Sequence, residues 1–91
     1  MKVIKRDGRV ADFDREKIMV AVSKANKEVK TKERASIEDI KEIILYIEDL
    51  AKKRILVEDI QDIIEQKLME IKKYELAKRY IVYMVLFPLG N

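Results

Sequence analysis

Three cations near the start of the chain have the spacing to hold an anion. Lys5 and Arg6 directly precede an Asp7-Gly8 dipeptide, and Lys17 follows a helix-start signal, Asp14-Arg15-Glu16. Each charge-assisted hydrogen bond from such a side chain contributes about 1.5 to 3 kcal/mol. A helix N-terminus adds unpaired backbone N–H groups and the positive end of its dipole. If the chain doubles back at Asp7-Gly8 and enters a helix at Arg15, Lys5, Arg6 and Lys17 converge there, and the guest that suits them is a polyphosphate. A second reading is open on these residues alone: Lys5, Arg6 and Arg9 as ordinary hairpin-tip residues, with Lys17 paired to Asp14 one turn earlier.

The elements that must position these residues follow from hydrophobic periodicity. Val3 and Ile4, then Val10 and Phe13, read as two short strands, and Asp-Gly between them favours the positive backbone angles of a tight hairpin. Asp14 is an N-cap. Ile18, Ala21, Val22, Ala25 and Val29 form one stripe of a helix over residues 15–29. Residues 30–35 make a polar connection, and Ser36-Ile37-Glu38-Asp39 has the form of a capping box for a second helix over 36–53. Its apolar face is Ile37, Ile40, Ile44, Ile47 and Ala51, flanked by Ile43 and Leu50. Ile55-Leu56-Val57 is an extended piece able to add a third strand. Ile60, Ile63, Ile64, Leu68 and Ile71 mark a third helix over 58–71. After a break around residues 72–75, Leu76, Ala77, Tyr80, Ile81 and Met84 mark a fourth, ending by residue 86. Residues 85–91 are apolar enough to pack back on the bundle or meet another surface, and Pro88 is expected to stop the helix.

Composition removes whole classes of chemistry. The chain has 91 residues, 48% hydrophobic and 41% charged, which suits one globular domain over 1–91. It has no cysteine and no histidine, so disulfides, zinc ribbons, thiolate nucleophiles and imidazole acid–base catalysis are excluded. Glycine occurs only at positions 8 and 90, so no Walker or kinase-type glycine loop exists. The carboxylate pairs Glu38-Asp39, Glu48-Asp49 and Glu58-Asp59 are adjacent in sequence and point to different sides of a helix. The protein reads as a binding module, not an enzyme. Twenty Lys and Arg against 17 Asp and Glu leave a net charge of +3, spread through mixed runs, which makes nucleic acid an unlikely partner. No signal peptide or long apolar run is present, so a cytoplasmic location without membrane attachment is expected.

Four stretches carry a family resemblance: Val3-Ile4-Lys5-Arg6-Asp7-Gly8; Phe13-Asp14-Arg15-Glu16-Lys17-Ile18; Val57-Glu58-Asp59-Ile60-Gln61-Asp62-Ile63-Ile64-Glu65; and Leu76-Ala77-Lys78-Arg79-Tyr80-Ile81-Val82-Tyr83. In order and spacing, over nearly the whole chain, they resemble the ATP-cone domain, which regulates ribonucleotide reductases and occurs in a bacterial repressor of reductase genes and in other fusions. The resemblance implies an α+β, mostly α fold: a four-helix bundle capped by a small N-terminal β-hairpin, at about residues 2–13, or by a three-stranded sheet. It implies an allosteric sensor of ATP or dATP, bound with Mg2+ on the phosphates, that acts through nucleotide-dependent oligomerisation. Partners would be a second copy or a fused reductase-type or kinase domain.

By the same resemblance, Lys5, Arg6 and Lys17 hold the phosphates. Val3, Phe13, Asp14, Ile18 and Val57 form the adenine and ribose pocket, with Ile47 or Leu50 as possible helpers that read more simply as core. Two positions depart from the family: Val57 stands where Thr or Ser is common, and Met84-Val85-Leu86 where an Arg or Lys usually follows the fourth-helix Tyr. Lys78 and Arg79 are candidate replacements for that cation. The alternative is a degenerate cone serving dimerisation or nucleic-acid binding.

Overall fold

Gly8 sits at φ +88°, in the left-handed region that glycine adopts without cost, and it lets the chain reverse between residues 5 and 9. The Gly8 N–H donates to the Lys5 carbonyl at 3.0 Å and the Lys5 N–H to the Arg9 carbonyl at 2.8 Å. The Asp7 carboxylate closes the turn by accepting from the Arg9 N–H (3.0 Å) and Arg9 Nε (2.6 Å). This joins β1 (Lys2–Ile4) to β2 (Val10–Asp12) as an antiparallel pair with Val3 opposite Ala11. The computed structural model describes residues 1–86, with the side chains of Val85 and Leu86 excepted. The expectations for the apolar residues 85–91 and for Pro88 therefore lie outside the described side chains and backbone.

Four helices follow: α1 (Arg15–Asn26), α2 (Ile37–Ala51), α3 (Val57–Glu70) and α4 (Tyr74–Leu86), with a 3-10 turn at Thr31–Glu33 between the first two. The fold is α+β and mostly α. Helix α1 ends at Asn26, earlier than the periodicity to Val29 predicts, because of a contact nine residues ahead. The Asn26 amide bonds both backbone groups of Ala35, donating from Nδ2 at 3.0 Å and accepting at Oδ1 at 3.1 Å, so it tethers the following loop. Val29 still packs against the core from that loop. The capping box at α2 is as expected: the Asp39 N–H donates to Ser36 Oγ (3.1 Å) and the Ser36 N–H to Asp39 Oδ2 (3.0 Å).

Between α2 and α3, β3 (Arg54–Leu56) pairs in parallel with β1, Val3 beside Ile55, giving the sheet order β2-β1-β3. Val57 is thus the first residue of α3, not the last of a strand. Helix α3 ends with Lys72 at φ +64° and the Lys73 N–H bonded to the Leu68 carbonyl at 2.9 Å, a Schellman closure made without glycine.

The core lies inside the ring of helices. Ile18, Val22, Ile40, Ile44, Ile47, Ile64, Leu68, Leu76 and Tyr80 are its largest fully buried side chains, and no charged residue is buried among them. Val3 and Ile55 seal it from the sheet side. The apolar stripes are narrower than the sequence suggests, because Ile37, Leu50, Ile71 and Ile81 are exposed. Burial pushes the Tyr80 phenol up, and its hydroxyl has no hydrogen-bond partner among the described residues.

Candidate functional site

The end of β2 runs through Phe13 directly into the α1 N-terminus, so the cap and the helix start share one corner. Asp14 caps the helix from an extended conformation, its Oδ1 accepting from the Glu16 N–H at 3.0 Å. Between this corner and the first turn of α3 lies a cavity that, with its open mouth, encloses about 380 Å3. Seven of the eight expected site residues line it: Val3, Lys5, Phe13, Asp14, Lys17, Ile18 and Val57. Val3, Ile18 and Val57 are buried and, with Ile60, give the cavity an apolar wall, while Lys17 is exposed and Lys5 half-buried.

The charges around it are unevenly engaged. Lys5 and Lys17 make no salt bridge and no side-chain hydrogen bond among the described residues. Lys17 is therefore not spent on Asp14. Asp12, on the rim, is paired with Lys2, which holds its carboxyl below the usual 3.8. Asp7 is also held low, chiefly by the backbone N–H of Arg9. Both are turn or edge groups whose charge is neutralised locally.

Arg6 is the exception among the expected residues. It is absent from the cavity wall and reaches α3, donating from Nη2 to Gln61 Oε1 at 3.1 Å and lying 3.4 Å from Glu58. The contact ties the hairpin tip to the third helix. Gln61 was not anticipated as more than a residue of that helix. It lies one turn after Val57, on the same stripe, and its Nε2 is buried with no partner among the described residues. The only signal in the sequence was a polar residue standing on an otherwise apolar stripe.

The suggested helpers do not join the site. Ile47 is fully buried core and Leu50 is exposed on a different groove, beside Arg54 and Asp59. Lys78 pairs with Glu75 at 3.5 Å, and Arg79 lies on a groove between α1 and α4. Neither lines the cavity, and Met84 is buried core. Among the described residues no three carboxylates converge to hold a metal, and no helix is long and apolar enough to cross a membrane.

Comparison with known proteins places this arrangement. The ATP cone domain family matches residues 1–86. The vitamin B12-dependent ribonucleoside-diphosphate reductase of Thermoplasma acidophilum is 36% identical over 88 residues, covering 90% of this chain and 11% of that protein. The ribonucleoside-diphosphate reductase subunit alpha of Chlamydia trachomatis is 34% identical over 94 residues, covering 91% of this chain and 9% of its own length. This chain therefore spans about a tenth of each of these relatives. Matched from the hairpin cap to the fourth helix, the chain belongs to the ATP-cone domain family.

Proposed function

We propose that the cavity between cap and bundle is a regulatory adenine-nucleotide site for ATP or dATP, and that the chain is an allosteric sensor without catalytic chemistry of its own. The observation that carries this reading is the pair Lys5 and Lys17, unpaired among the described residues, on the wall of an apolar cavity at a helix N-terminus. In this reading the phosphates lie against the two lysines and the first turn of α1. The base lies between Phe13 and the Val3, Ile18 and Val57 wall. Asp14 offers a carboxylate to a sugar hydroxyl, which is the one group distinguishing ATP from dATP. Arg6 joins the phosphates by leaving Glu58, which turns the hairpin tip into a nucleotide-dependent latch. Mg2+ would arrive on the phosphates, since the described residues offer no carboxylate cluster to hold it.

Signalling needs a ligand that favours one arrangement over another. Because the matched relatives are reductases, the arrangement that changes would be association with a second copy or with an adjoining reductase-type domain, in the cytoplasm. Thermal-shift titration with ATP, dATP, GTP and pyrophosphate, each with magnesium, tests the site. A ligand at about 100 times its Kd stabilises the fold by about 2.7 kcal/mol, a shift of order 10 °C in a domain of this size. Adenine nucleotides should produce it in the wild type and not in a Lys5→Ala/Lys17→Ala variant. Equal shifts with GTP or pyrophosphate, or none at all, would refute an adenine site.

A further inference from the structure

Helix α4 packs on α1 and α3, and α2 packs on the same two helices. The helices therefore form a ring in which the α1/α4 groove and the α2/α3 groove lie on opposite sides. The two grooves carry opposite charge. The first, a half-open groove, sets Lys24, Lys27 and Arg79 against a single anion, Glu28. The second, also half-open, sets Asp39, Glu42 and Glu70 against a single cation, Lys67.

Lys24, Lys27 and Arg79 make no salt bridge among the described residues. In the acidic groove Lys67 is already engaged, 3.4 Å from Glu70 and 3.8 Å from the centre of the Tyr46 ring. Glu42 is left without an ion-pair partner among the described residues. Apolar surface accompanies the charge on both sides: Val82 is 51% exposed beside the basic groove, and Tyr46 and Ile71 are 43% and 40% exposed beside the acidic one.

We infer that these faces are two halves of one head-to-tail contact, in which the α1/α4 groove of one copy receives the α2/α3 face of the next. An acidic segment from another protein would satisfy the basic groove alone and leave the opposite face without a role; a second copy satisfies both. A contact of this type leaves one free face at each end and closes into a ring or extends. It rests on the oligomerisation proposed above and adds the surface. It also supplies a route from the site, because α1 carries Lys17 of the nucleotide cavity near its N-terminus and Lys24 near its C-terminus. Its 12 residues span about 18 Å.

Charge reversal tests the pairing by sedimentation equilibrium, with and without ATP. One variant is Lys24→Glu/Lys27→Glu and the other Glu42→Lys/Glu70→Lys; both change exposed side chains, and melting curves confirm that each folds. Each reversal alone should weaken self-association by more than about tenfold, since like charges then face one another. An equimolar mixture of the two variants should restore it, because each reversed face meets its complement on the other chain. Wild-type association that neither reversal weakens, or that the mixture fails to restore, would overturn this pairing alone. A wild-type chain that stays monomeric in both conditions would overturn the pairing together with the oligomerisation on which it rests.

Discussion

Replacing Val57 by Thr separates a ligand-facing wall from plain core. Val57 is 3% exposed, lines the cavity and begins α3 after an N-cap residue, Leu56, that has no capping side chain. Thr has nearly the same shape, so the packing loss is small, but the new hydroxyl is buried. Leaving it without a partner costs about 1 to 3 kcal/mol, and each kcal/mol lowers the Tm by about 4 to 8 °C in a domain of this size. A bound nucleotide reverses the sign. One new hydrogen bond to it contributes about 0.5 to 1.5 kcal/mol, and relief of the unpaired hydroxyl adds to that. The variant should therefore melt below the wild type without ligand yet bind ATP at least about 2- to 12-fold more tightly. Calorimetric titration and melting curves on the same samples give both values. A Val57→Thr chain that is destabilised and binds ATP no better would refute a nucleotide position against the first turn of α3.

Three further outcomes follow. Glu58→Gln removes from Arg6 an exposed ion pair contributing at most about 1 kcal/mol and leaves it held by Gln61 alone, so ATP affinity measured by titration should rise by up to about fivefold with little change in Tm; unchanged or weaker binding would mean that Arg6 serves only the hairpin. Stability should be flat between about pH 5 and 8, since the chain has no histidine. Asp7 and Asp12 titrate below their usual 3.8, so their contribution is present above that value and lost as pH falls beneath it. The Tyr80 phenol is pushed up, so its contribution is present below about pH 10 and lost as pH rises beyond it. In Tyr80→Phe the alkaline loss should shrink and the Tm at neutral pH should rise; a fall would show that the hydroxyl has a partner.

What could be read from the sequence was what neighbours in sequence decide. Asp7-Gly8 specified the reversal, Ser36 and Asp39 the start of α2, and Asp14 the start of α1, because each acts within a few residues of itself. The convergence of Lys5 and Lys17 on one cavity follows from those local signals together. Contacts between distant segments were not legible. Arg6 meets Gln61 across 55 positions, and nothing near either residue announces it. The early end of α1 depends on Ala35 being where the Asn26 amide can bond it. The parallel direction of β3 on β1 depends on two helices intervening. The exposure of Ile37 and Leu50 escaped the periodicity because a stripe shows which residues are apolar, not how wide a partner covers them.

Leu56 is the last residue of β3 and Val57 the first of α3, so not one residue of slack separates sheet from helix. In mechanical terms the cap and the third helix are a lever without a joint. Any force that a guest exerts on Val57 is delivered undamped to β3 and, through its ladder, to β1 and the hairpin. Inserting a flexible residue between positions 56 and 57 would add the missing joint and, in the proposed sensor, weaken the coupling between the cavity and the sheet.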